Sequence, residues 1–122
     1  MIKQFAGASI WSEDVNNLLP FYRDVLGLKV GMEAPGYAVV GMESPETAGL
    51  LLGTHSEVHG RNADPSRHMV AFATDDLVAD VQRLKEAGVE FVEGPTDYGD
   101  MSIATLKDPE GNLVQLYHMR GS

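Results

Sequence analysis

Apolar and polar positions along the chain switch between two periods, and the switch occurs in the same order twice. Residues 3–11 are small and apolar and read as a short strand. Ser12-Glu13-Asp14 follows as an N-cap with an acidic first turn. Val15, Leu18, Leu19, Tyr22, Val25 and Leu26 then recur at helical spacing, and Gly27 stands where a helix-ending glycine belongs. Pro20 falls inside this stretch, where its missing N–H removes a helical hydrogen bond, so a kink or a short first segment is expected. Residues 28–32, 37–42 and 48–54 read as strands. Ala34-Pro35-Gly36 and Glu43-Ser44-Pro45-Glu46 supply the turns between them.

Residues 55–67 are polar, with Gly60, Asn62, Asp64 and Pro65, and form the longest expected loop. After it the order restarts. Residues 68–73 read as a strand and Thr74-Asp75-Asp76 as a second cap. Leu77, Val81, Leu84 and Ala87 give a second amphipathic helix, which Gly88 ends. Strands over 89–92, 101–106 and 113–118 follow, separated by Gly94-Pro95-Thr96-Asp97 and Asp108-Pro109-Glu110-Gly111-Asn112. The pattern β-α-β-β-β thus occurs twice. Ser12 matches Thr74 at an offset of 62, and Gly27 matches Gly88 at an offset of 61. A repeat this long is not a solenoid but two copies of one supersecondary unit. The fold class is α+β in one domain, 1–122: module one over 1–55, a linker over 56–67 and module two over 68–119.

Composition narrows the function. The 122 residues suit one domain. No apolar run approaches the ~18–20 residues of a membrane span, and the N-terminus lacks a basic-then-apolar leader, so a cytoplasmic protein without membrane contact is expected. The absence of cysteine removes disulfides, thiolate metal sites and cysteine nucleophiles. A net charge of -9 disfavours nucleic acid, which needs a basic stripe, and attracts cations. No Gly-x-Ser-x-Gly elbow and no phosphate-cradling glycine loop is present. His55 and His59 flank Glu57 at four-residue spacing, but in a loop, where solvated histidines are expected.

Several stretches resemble the vicinal-oxygen-chelate superfamily, the glyoxalase, bleomycin-resistance and extradiol-dioxygenase fold. Phe21-Tyr22-Arg23-Asp24-Val25-Leu26-Gly27-Leu28 is similar to its first-helix signature. Residues 71–77 and 84–91 are similar to its second strand-helix unit, and Asp108–Leu116 to its closing turn and strand. The resemblance implies two βαβββ modules whose curved mixed sheets surround a concave cavity, with the helices outside and a homodimer as the common assembly. It covers metal-dependent lyases, isomerases and dioxygenases, and also drug-binding proteins without a metal.

The resemblance places metal ligands at four strand positions. Here they fall on Gly7, on Leu51 or Leu52, on Met69 and on Gln115. A divalent ion needs His, Glu or similar donors converging from several strands, and only Gln115 offers one. No metal and no cofactor is therefore expected. If Gly7 faces the cavity, strand parity turns Phe5, Ser9 and Trp11 inward as well. Met69 with Ala71 and Ala73, and Gln115 with Leu113 and Tyr117, face in from the second module, and Tyr37 and Leu52 complete the wall. Phe5, Ser9, Trp11, Tyr37, Leu52, Met69, Gln115 and Tyr117 are the candidate ligand-binding residues, and no catalytic set is identified. The expectation is sequestration of a small molecule, planar or cationic, in an apolar aromatic cavity. The alternative is a lyase or dioxygenase with a non-standard metal site around His68 and Gln115.

Overall fold

The computed structural model describes residues 1–3, 5–44 and 47–119. The chain divides into two compact units, Met1–Gly60 and Arg61–Ser122. Among the described residues no helix is long and apolar enough to cross a membrane.

In the first unit, strands β1 (Ala8–Ser12), β2 (Val30–Ala34), β3 (Tyr37–Val40) and β4 (Leu50–Thr54) form one mixed sheet in the order β1-β4-β3-β2. β1 runs parallel to β4, and the other pairs are antiparallel. The first strand begins later than the apolar run that predicts it, so Phe5 and Gly7 precede the sheet; Gln4 lies outside the described residues. The expected turn at 43–46 contains Pro45 and Glu46, which also lie outside them. Ala38, Val40, Leu50 and Leu52 form the buried face of this sheet. Val15, Leu18, Leu19 and Tyr22 from the helical segment complete the core, with Leu18 and Tyr22 wholly buried. Burying a leucine or tyrosine of this size stabilises the fold by roughly 1.5–3 kcal/mol, so these side chains decide which face is covered.

The expected helix over 15–26 is a correction. It is a 3-10 turn, Val15–Asn17, followed by a wider π turn, Phe21–Val25. Pro20, with no N–H to give, marks the break. Leu26 N–H donates to Phe21 O at 2.9 Å, one residue further back than in an α-helix. The repeat explains the extra width. Fifteen residues separate Ser12 from Gly27, whereas fourteen separate Thr74 from Gly88. The first unit must fit one more residue between the same two landmarks, and the π turn holds it.

The second unit repeats the plan without that insertion. Strands β5 (Val70–Ala73), β6 (Phe91–Asp97), β7 (Met101–Lys107) and β8 (Leu113–Met119) form a sheet in the order β5-β8-β7-β6. Helix α1 (Leu77–Glu86) covers one face with Leu77, Val81 and Leu84. Against it stand Ala104, Leu106, Val114 and Leu116, all buried. The Asp76 side chain caps the helix by accepting from Ala79 N–H. At the other end Val89 N–H donates to Leu84 O and Gly88 N–H to Lys85 O, both at 3.0 Å, with Gly88 at φ +90°. That closure needs a left-handed residue, hence the glycine.

Strand β6 is longer than its sequence predicts, because Gly94-Pro95-Thr96-Asp97 continues the strand instead of turning it. Register shifts on either side of Glu93 admit Pro95, and β6 lies at the sheet edge, where a proline need not donate to the ladder. Within the loop between the last strand of one unit and the first of the next, Pro65–Arg67 forms a short 3-10 turn.

Candidate functional site

Strand register decides which side chains share the face that each helical layer leaves open. In the first sheet Trp11 pairs with Gly53, and Gly53 with Tyr37; Ser9 pairs with Leu51, and Leu51 with Val39. Two rows result: Trp11, Gly53, Tyr37 and Ala34 form one, and Ser9, Leu51, Val39 and Met32 the other. Trp11 is 42% exposed and Met32 52%, so this face is open and largely apolar.

Leu52 is a correction. It pairs with Ile10 and Ala38, faces the helical layer and is 0% exposed, so it belongs to the core. Its neighbour Leu51 takes the place on the open face. Phe5 is 73% exposed and precedes β1, so the sheet does not fix its direction.

Gly53 is the residue that sequence reasoning missed. It is buried, with the Trp11 ring lying on it and Leu51 beside it. A Cβ at Gly53 would come within 2.7 Å of Trp11 Cε3 and closer still to Cζ3. Glycine is required there for close approach of the indole. The ring is held on another side by His55, edge to face, with centroids 5.6 Å apart at 74°. His55 Nδ1 accepts from Glu57 N–H at 3.1 Å, which orients the imidazole and leaves its proton on Nε2 in the neutral form. Tyr37 Oη donates to Met32 Sδ at 3.7 Å. The result is a braced aromatic platform whose Trp11 row is apolar apart from the Tyr37 hydroxyl and the indole N–H. On the side of the helical layer, between the β2–β3 turn and the 3-10 turn, opens a separate cleft of about 350 Å³ lined by Val15, Leu19, Asn16, Glu33 and Tyr37.

The second sheet has an open face too. Ala71 pairs with Gln115, Gln115 with Thr105 and Thr105 with Glu93, making one row. Ala73, Tyr117, Ile103 and Thr96 make the next. Gln115 and Tyr117 share this face, as strand parity predicts. Met69 lies just before β5 and is 42% exposed. Gln115 Nε2 donates to Thr105 Oγ1 at 3.4 Å. Glu93 Oε2 accepts from Thr96 Oγ1 at 3.1 Å and from Tyr98 Oη at 3.0 Å. The carboxylate raises the Tyr98 phenol above its ordinary pKa, because the hydrogen bond it accepts is lost on ionisation.

A metal ion at the positions implied by the sequence resemblance finds a poor donor set. Gly7 has no side chain, and a Cβ there would already meet Gly49 O at 3.2 Å. Leu51 and Leu52 offer only carbon, and Met69 a soft thioether. Gln115 alone carries an oxygen, a neutral amide donor whose N–H is given to Thr105 and which is a single ligand at most. His68 lies before β5 and is exposed. No group of three or more His, Cys, Asp or Glu comes together among the described residues. The residues at these positions therefore do not fit the ion.

Comparisons with known proteins agree with the architecture. The model of the family described as Glyoxalase/Bleomycin resistance protein/Dioxygenase superfamily matches residues 2–116. The protein YurT of Bacillus subtilis (strain 168) is 28% identical over 118 residues, covering 88% of this chain and 93% of its own. A lactoylglutathione lyase of Pseudomonas aeruginosa is 37% identical over 62 residues, half of this chain and 35% of its own. Among solved structures, TnmS3, an antibiotic binding protein from Streptomyces sp. CB03234, superposes with a TM-score of 0.71 at 24% identity, covering 97% of each chain. With two β-rich modules in the expected order and a family match over nearly its whole length, the chain belongs to the glyoxalase/bleomycin resistance protein/dioxygenase superfamily.

Proposed function

We propose that this protein binds a planar small molecule without the help of a metal, holding it rather than transforming it. The observation that carries this reading is the platform of Trp11 seated on Gly53, braced by His55 and continued by Tyr37. An indole half in contact with protein and half open offers a flat, polarisable surface to a fused-ring ligand, and such stacking favours aromatic partners over aliphatic ones. The neighbouring positions Ser9, Val39 and Leu51 keep the surface apolar, with one hydroxyl to orient the ligand. Gln115 and Tyr117 offer a surface of the same kind on the second sheet. The antibiotic binding protein from Streptomyces with the same fold supports a binding role. A homodimeric, cytoplasmic protein is part of the proposal; sedimentation of the full chain checks the assembly.

Fluorescence is the direct test, since Trp11 is the only tryptophan. Acridine added to the protein is expected to quench Trp11 emission saturably. A linear, non-saturating response to acridine and to other fused-ring compounds would overturn the reading.

The 62-residue likeness to a lactoylglutathione lyase supports a second reading, a metal-dependent enzyme of the same superfamily. It requires a non-standard site around His68 and Gln115, since positions 7, 51 and 69 offer no suitable donor. Tight, stoichiometric binding of Zn or Ni that is lost on His68→Ala favours it over the binding protein.

A further inference from the structure

We infer that the open face of the second sheet carries a seat for a positively charged hydrogen-bond donor, an ammonium or amidinium group, built on Glu93. The inference rests on the ligand-binding reading above, taken at the Gln115 and Tyr117 face of the second sheet alone, and adds the chemical class of the group that this face accepts.

Glu93 is set on this face by an unusual stretch of strand. Register shifts flank it on both sides, and its pairing with Thr105 aligns it with Gln115 instead of with the helix-covered face. Thr105 is 5% exposed, so the row between Glu93 and Gln115 is well covered at its centre. Tyr98 Oη donates to Oε2, and Thr96 Oγ1 lies 3.1 Å from the same oxygen and 3.1 Å from Gly94 O, so its one proton is shared between them. These contacts hold Oε2 and leave Oε1 open. Oε1 receives no hydrogen bond from the described residues, and no Lys or Arg among them pairs with Glu93. A half-buried carboxylate with one satisfied oxygen, one open oxygen and no cationic partner is an incomplete ion pair.

The adjacent polar group points the same way. The Gln115 amide gives its N–H to Thr105 Oγ1, which leaves Oε1 as an acceptor on the same row. Glu93 and Gln115 stand two strands apart, roughly 10 Å between their backbones. Acceptors on either side of Thr105 select a donor-bearing ligand. Charge-assisted hydrogen bonds are the strong kind, and partial burial makes the Glu93 bond stronger than a fully exposed one. The net charge of -9 raises the local concentration of cations around the whole chain.

The test uses the full chain and two probes that share one ring system, 1-naphthylmethylamine and 1-naphthylmethanol, in equilibrium dialysis at pH 7. The wild-type protein is expected to prefer the amine by about tenfold or more. Glu93→Gln retains an acceptor for Thr96 and Tyr98 but removes the local charge, and most of the preference should be lost, with the loss on the amine side. Raising salt should shrink the wild-type preference more than that of Glu93→Gln, in which only the charge of the remaining chain attracts the amine. Binding of both probes without preference, or a preference that survives Glu93→Gln, overturns the Glu93 seat and leaves the aromatic platform standing. Binding of neither probe overturns the seat together with the ligand-binding reading.

Discussion

Gly53→Ala is the most informative single substitution. Its new methyl group would lie 2.7 Å from Trp11 Cε3, whereas ordinary contact begins near 3.4 Å. The indole must therefore retreat by about 0.7 Å at that atom, and by more at Cζ3. Because Trp11 is 42% exposed, the ring has an open side and can tilt outward rather than strain the sheet. Overpacking a closed core costs about 1–3 kcal/mol. With one side open the lower end applies, about 1 kcal/mol. For a chain of this size that lowers Tm by about 4 °C. The tilt also pulls Trp11 off the His55 edge, so native-state emission should shift to longer wavelength as the ring meets more water. Urea unfolding followed by circular dichroism measures the stability, and the native emission spectrum reports the ring. Gly94→Ala is the control for the added methyl group itself, since a Cβ there meets nothing within 4 Å, in the bulged edge strand β6. It should leave both readouts unchanged or slightly raise stability. If Gly53→Ala matches Gly94→Ala in midpoint and emission, the indole does not rest on Gly53 and the platform is misassigned.

Two further outcomes follow from register and from titration. Leu52→Ala should destabilise the protein by about 2–5 kcal/mol as a cavity-forming core truncation, while Leu51→Ala should cost far less stability and act on ligand affinity; the reverse order in urea melts would overturn the register of β4. Tyr98, whose phenol Glu93 raises, should ionise above the ordinary value near ~10 in a spectrophotometric titration, and Glu93→Gln should lower it. A raised folded-state pKa means that this bond's contribution is present below the ordinary phenol value and fades as pH rises through the raised one. Identical titration curves for the two proteins would remove the Glu93–Tyr98 bond.

Much of the architecture is legible in the chain because paired landmarks repeat. Ser12 and Thr74 each accept from the backbone N–H two residues on, Asp14 and Asp76, at 3.1 Å, and Gly27 and Gly88 each adopt positive φ. The offset of 62 falling to 61 also contains the irregular turn at Phe21–Val25, but only as a count: which hydrogen bonds absorb an extra residue depends on packing around Tyr22 and Pro20. Parity within a strand groups Ser9 with Trp11 and Gln115 with Tyr117, since a period of two needs no partner strand. It cannot choose between Leu51 and Leu52, because a run of leucines has no alternation. That choice depends on which β4 residue lies beside Trp11, a long-range pairing. Pro95 hides the second half of β6, and with it the facing of Glu93, because a bulged edge strand and a turn share the same composition. Gly53 is invisible for a related reason. Its requirement comes from a ring forty-two positions earlier in the sequence.

The most direct test of the aromatic platform is the acridine affinity of Trp11→Ala measured by equilibrium dialysis beside the wild-type protein. Truncating a stacking anchor of this kind removes about 1–3 kcal/mol, so acridine should bind the variant roughly 5- to 150-fold more weakly while circular dichroism shows the fold intact. Equal affinity of the two proteins for acridine, with both folded, would contradict the assignment of Trp11, Gly53 and Tyr37 as the surface on which the ligand rests.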